Sequence, residues 1–236
     1  MSLPVINAPT YELAIPSTKE KIKYRPFLVK EEKILLLAME DGDEKTISLA
    51  LKQIIENCTD GKVDVEKLAL FDLEFVCLRI RAKSVGENVK VNLLCEDDGE
   101  TYVPVEIPLE EIKVTHTKGH KKTVKLTKEI AVTMRYPQLS MMAMQAQGET
   151  PDVEKVFDIL GECIENITEG ETVHERIDFN DGELKTFLES LSSKQFQSIQ
   201  NFFETMPKLQ HTIELENPKT KVMNTITLEG MQSFFA

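Results

Sequence analysis

Few side chains in this sequence stand at spacings that could do chemistry. His116 and His120 are four residues apart, the separation that turns two imidazoles toward one metal when both lie on a helix. Thr117, Lys118 and Gly119 between them read as a loop, so that shared face is not expected and no metal is assigned. Cys58, Cys77, Cys95 and Cys163 stand far apart with no Cys-x-x-Cys pair, which in a reducing compartment marks small buried hydrophobes. Cys77 and Cys163 fall on the apolar faces of expected helices, where thiols are inert. Asp178, Asn180 and Gly182 resemble the start of a calcium loop, but the spacing is one residue short and no glutamate closes it. A turn with a helix cap is the better reading. Asn57 and Asn166 open Asn-x-Thr triplets, which have no use in a chain without a secretion signal. The phosphate-cradling, dinucleotide, nucleophile-elbow and zinc-protease motifs are all missing. No catalytic, cofactor-binding or metal-ligating residue is therefore assigned, and the chain is not expected to be an enzyme.

Composition bounds the partners. The 236 residues carry 28 basic and 40 acidic side chains, a formal charge of −12, and such a field repels phosphate backbones. Nucleic acid is not an expected partner. The one basic cluster, Lys118, His120, Lys121, Lys122 and Lys125, reads as a charged hairpin tip. With 41% hydrophobic residues and no apolar run near the roughly 18 residues of a membrane span, the chain reads as soluble and without a membrane partner. Its opening, MSLPVINAPTYELAIPS, lacks a basic segment followed by an apolar block, so the expected location is the cytoplasm.

The surrounding elements are legible from periodicity. Pro4, Pro9 and Pro16 make Leu3 to Ala14 an extended arm, with one short strand at Thr10 to Ile15 and a second at Lys21 to Arg25. Ile34, Leu35, Leu36, Leu37 and Ala38 put apolar groups almost all round a helix over 30–40, which is expected to be central. Ile47, Leu51, Ile54, Ile55 and Cys58 form one stripe, so the next helix is expected to lie on the first at the surface. Leu68 to Lys83 carries two stripes and reads as a helix between layers.

Beyond it the period changes to two. Val89, Val91 and Leu93 alternate, the CEDDGE turn follows, and Tyr102, Val103, Val105 and Ile107 return, a β-hairpin. Ile112 to His116, Thr123 to Leu126 and Glu129 to Arg135 are further strands of a small sheet. Leu139, Met141, Met142 and Met144 lie on a short helix after Pro137; such methionines fill a core gap or line an adaptable surface. Val153, Val156, Phe157, Leu160, Ile164 and Ile167 read as one long helical stripe. Asn180 with Glu183 and Ser192 with Gln195 are capping pairs that open two more helices. His211 to Leu215 and Val222 to Leu228 form a closing hairpin, followed by Met231, Phe234 and Phe235.

The fold class is therefore α+β, in four regions: arm, short hairpin and three helices over 1–86, small antiparallel β region over 87–136, helical bundle over 137–206, and hairpin with a Phe-rich tail over 207–236. These regions pack as one or two compact domains. The residues offered to partners are Val5, Ile6, Pro9 and Tyr11 of the arm, Met141 and Met142, and Met231, Phe234 and Phe235 of the tail.

Three segments carry a resemblance. INAPTYELAIPSTKEKIKYRPFLVKEEKILLLAMEDGD, LFDLEFVCLRIRAKSVGE and TITLEGMQSFF resemble the baseplate hub assembly proteins of T-even-type contractile-tailed phages. The resemblance covers most of the chain. It implies a late protein that builds the central hub of the baseplate through contacts with other hub or tail proteins, self-association being left open. The implied locations are the host cytoplasm during assembly and the virion tail. Some members of that family carry a Cys-x-x-Cys knuckle in the middle hairpin; the matching place here, Cys95 to Gly99, has a single thiol, so zinc is not expected. The alternatives are a transient chaperone of a hub subunit, absent from the finished particle, and a hub-associated hydrolase.

Overall fold

The computed structural model describes residues 8–42, 44–141, 153–230 and 233. Its elements are helices and small antiparallel sheets, the mixed α+β class expected. They fall into two compact units, one of residues 1–115 with 208–236 and one of residues 116–207. The first unit is thus discontinuous in sequence: its last strands return after the second unit has been completed.

In the first unit, strands β1 (Tyr11–Ala14) and β2 (Lys21–Tyr24) form a hairpin in which Tyr11 faces Tyr24. Its turn is fixed to the helix α3 (Leu70–Ser84): buried Asp72 accepts hydrogen bonds from the Ser17 backbone N–H at 2.9 Å and from the Ser17 hydroxyl. Helices α1 (Val29–Asp41) and α2 (Glu44–Cys58) pack against each other. Their order of burial reverses the expectation. In α2, Leu51, Ile54, Ile55 and Cys58 are all buried, whereas in α1 only Ala38 and the carboxylate-bearing Glu31 are fully so among the described side chains. Four consecutive apolar residues at 100° steps point to every side of a helix, so whichever face docks, another is left outside. α3 does lie between layers. Its Leu73, Val76, Cys77 and Ile80 are buried, and its Leu78 and Ala82 enter a cluster with Val89, Val91, Leu93, Ile107, Leu209 and Ile226.

Strands β3 (Asn88–Leu94) and β4 (Tyr102–Pro108) are the expected hairpin, with β3 alternating exposed and buried along its whole length. The next strand, β5 (Lys113–Thr115), does not continue that sheet. It pairs with β10 (Lys208–Glu216), which in turn pairs with β11 (Met223–Glu229). Arg79 braces the approach to β5, donating to the carbonyls of Leu109 and Ile112 at 2.7 Å each and of Glu110 at 3.2 Å. This multidentate use of the guanidinium fork needs an arginine, since a lysine offers one compact donor group.

In the second unit, β6 (Thr123–Lys125) and β7 (Ile130–Met134) pair with β8 (Ile164–Glu169) and β9 (Thr172–Glu175) in one four-stranded sheet, in the order β6-β7-β8-β9. A helical bundle over 137–206 is thereby corrected. Helix α4 (Val153–Glu162) stops before Cys163, and Ile164 and Ile167 belong to a strand. β-Branched Ile164, Ile167 and Thr168 favour the extended chain, and Gly170 takes a φ of 58° at the first of two turn residues, where hairpins favour glycine. Helices α5 (Asp181–Glu189) and α6 (Ser193–Thr205) open on the expected capping pairs: Asn180 accepts from the Glu183 N–H at 3.0 Å and Ser192 from the Gln195 N–H at 3.4 Å. α4 and α5 approach closely, since a Cβ on Gly161 would stand 2.8 Å from a methyl of Leu184. Val132, Met134, Leu160, Ile164, Leu188, Ile199 and Phe202 make the core of this unit.

Candidate interaction surfaces

The first unit leaves several large apolar side chains in water, among them three leucines of α1 and α2. Leu36 is 61%, Leu37 55% and Leu49 59% exposed. Leu36 and Leu37 stand on the side of α1 away from its buried Glu31 and Ala38, and Leu49 on the side of α2 away from its buried Leu51, Ile54 and Ile55. A single exposed leucine on a surface is ordinary, but three on two consecutive helices are candidates for contact. Besides Ala38 and the half-buried Ile34 and Leu35, a polar contact anchors the start of α1. Glu31, with no exposed surface, accepts from Arg25 Nη2 at 2.9 Å and from the Leu28 backbone N–H at 2.8 Å. The second bond is half of a capping box; Leu28 has no acceptor to complete it.

The place where the resemblance put a knuckle is closed by hydrogen bonds. Asp97 accepts from the side-chain amides of Asn217 and Asn224 at 2.9 Å each and from the Thr220 hydroxyl, and its own N–H donates to Asn224 at 3.1 Å. These donors, the Asn217 amide foremost, hold the Asp97 carboxyl below the usual range. The β3–β4 loop is thus clasped to the β10–β11 loop by a carboxylate and two asparagines. Buried Cys95 lies at its edge, and no group of three metal-ligating side chains occurs among the described residues. Leu94, its cross-strand partner Tyr102, Val222 and Met223 are exposed around the clasp.

The thiols match the inert reading. Burial pushes Cys58 up to about 11 and Cys77 and Cys163 up to about 12, so each stays protonated and weakly nucleophilic at neutral pH.

Of the residues named from sequence as contacts, Pro9 is exposed and Tyr11 half-buried, its ring 5.7 Å from that of Tyr24. Met141 is 2% exposed and packs its sulfur 3.6 Å from Cys163 Sγ. It fills a core gap, so as a surface contact it is corrected: its flexible thioether is already used inside the unit. Val5, Ile6, Met142, Met231, Phe234 and Phe235 lie outside the described residues. The exposed Leu36 and Leu37 were missed because their signal, an apolar run encircling the helix, also fits a buried helix.

His120 is part of an aromatic group in the second unit, 5.1 Å from Phe202 and 5.7 Å from Tyr136. Its Nδ1 is 3.0 Å from Thr205 Oγ1 and its Nε2 is buried without a partner. Burial, followed by the charges of His116 and Lys122, holds His120 below the ordinary histidine value of 6.5. The folded state therefore prefers the neutral ring. Its contribution to stability is complete above 6.5 and is lost as pH falls, because the unfolded imidazole takes up a proton that the folded one resists. His120→Phe, which keeps a ring between Tyr136 and Phe202, removes this dependence. Denaturant midpoints at pH 7.5 and 5.5 are expected to fall less in the variant than in the parent; an equal fall would refute the assignment.

The chain matches the model of a family described as T4 bacteriophage base plate protein over residues 8–236. No curated protein and no solved structure matches it.

Proposed function

We propose that this chain, which belongs to the T4 bacteriophage base plate protein family, is a component or assembly factor of the central hub that works by protein contacts and turns over no substrate. Family membership gives the setting, a structural or assembly role in the baseplate with other baseplate or tail proteins as partners. The observation that carries the mode of action is the exposure of Leu36, Leu37 and Leu49 on α1 and α2, apolar groups whose burial would be favourable and which the first unit itself leaves open. The raised thiols and the hydrogen-bonded Asp97 also favour this reading, because these groups are committed to packing or to hydrogen bonds.

Many weak contacts that become strong only when several subunits meet give ordered construction. Mixing the purified chain with individually expressed baseplate proteins of the same phage tests this by size-exclusion chromatography. The expected result is co-elution in a complex of fixed stoichiometry with at least one hub protein. Co-elution with none, or hydrolysis of a cell-wall or peptide substrate, would overturn it. Quantitative mass spectrometry of purified particles distinguishes a resident component from a chaperone that leaves before completion.

A further inference from the structure

The second unit contains a groove of about 700 Å³ between the segment 118–125 and helix α6. Lys118, Lys121, Lys125 and Lys194 line it, Phe202 contributes an aromatic wall beside His120, and no carboxylate is among its lining residues. That composition runs against the rest of the chain. Residues 116–128 hold five lysines and no acidic residue, while 129–207 hold fifteen carboxylates against five basic side chains. Several lysines elsewhere sit against carboxylates: Lys52 pairs with Glu66, Lys83 with Glu87 and Glu110, and Lys208 with Glu229. The four lysines of the groove form no ion pair among the described residues. Beside them Lys122 lies 4.7 Å above the ring of Tyr136. Like charges held together without counter-charges repel one another, and an arriving anion relieves that repulsion.

We propose that this groove is the docking site for an acidic segment of a neighbouring baseplate protein. This rests on the reading that the chain works through protein contacts in the baseplate. Charge complementarity selects an acidic occupant, and the aromatic wall with Asn201 and Gln197 on its rim suits a polypeptide that presents side chains and amides together. A nucleic acid fits less well, because a long phosphate backbone leaving the groove meets the surrounding carboxylates.

The test uses the full chain and a fluorescein-labelled peptide of alternating glutamate and tyrosine, with a single-stranded oligonucleotide of equal charge as the competing probe. Three proteins are compared by anisotropy at low and moderate salt: the parent, K121E/K125E/K194E in the groove, and K62E/K90E/K113E on the other unit, which changes the net charge equally. The peptide is expected to bind the parent saturably and to lose at least tenfold in affinity with the groove variant alone. Equal loss in both variants, tighter binding of the oligonucleotide, or no saturable peptide binding to the parent overturns the proposal. K121Q/K125Q/K194Q, which reverses no charge, is expected to show a smaller loss in the same direction and guards against misfolding of the first variant. If the groove variant still joins the hub complex with unchanged affinity, the inference fails while the proposed function stands; if the parent joins no complex, the function fails by itself.

Discussion

Replacing Leu36, Leu37 and Leu49 together with serine is expected to leave the chain folded and to stop it entering baseplate complexes. Each side chain is more than half exposed, so its removal takes little from the core, and surface substitutions of this kind change stability by about 0.5 kcal/mol or less. Binding has more to lose. Fully burying a leucine contributes roughly 1.5–3 kcal/mol, and three that are about half exposed before contact bring on the order of 3 kcal/mol to an interface. That corresponds to a loss of a hundredfold or more in affinity. In a multi-subunit assembly the loss compounds, so complementation of a phage lacking this chain is expected to fall by at least that factor. Thermal unfolding and size-exclusion with the hub proteins check the two halves of the statement. A variant that unfolds early would show these leucines to be core, and one that assembles normally would show them to be idle surface.

Glu31→Gln is expected to cause the largest loss of stability of any single polar substitution in the first unit. Burial alone would push the Glu31 carboxyl up, but the bonds from Arg25 and the Leu28 N–H, with the charges of Arg25 and Lys30, outweigh it and bring the group below its ordinary value of 4.5. The folded state thus prefers the ionised form. Its stabilisation is fully present above 4.5 and is lost as pH falls below that value, because protonation then favours the unfolded chain. Removing one partner of a buried pair costs about 3–5 kcal/mol, and Arg25, 18% exposed at its side chain, retains some access to water, so about 2–3 kcal/mol at pH 7 is expected. The gap between parent and variant should close when unfolding is repeated near pH 3.5. A gap that does not depend on pH would show that Glu31 acts by its shape alone. Because this carboxylate and Ala38 are what α1 buries most completely, the same substitution is expected to free α1 first, seen as faster amide exchange over residues 31–40 than over α2.

Element types were largely legible in the sequence. The alternation of Val89, Val91 and Leu93, the capping pairs at Asn180 and Ser192, and the single stripe of α2 each depend on a few neighbouring residues, and local geometry decides them. The α4–β8 junction was not legible, because Ile164 and Ile167 continue the helical spacing of Leu160 by coincidence. The hairpin signal lay instead in Gly170, flanked by the β-branched Thr168 and Thr172. At the candidate sites, Lys118, Lys121 and Lys125 stood out as a cluster, but Lys194, some seventy residues away, carries no sequence mark of joining them.

The sequence by itself determined that this protein is α+β, that its thiols and histidines form no reactive set at motif spacing, and that a basic segment interrupts an acidic chain. Tertiary structure alone decided that β5 closes against β10 and not against its neighbours, that α2 is inside and α1 outside, and that Asp97 reaches Asn217 and Asn224. The physical reason is one of range. Periodicity and capping are set within a turn or a strand, whereas the choice of which apolar face is covered and which strand edge is paired depends on residues a hundred positions distant, whose side chains must compete for the same surface.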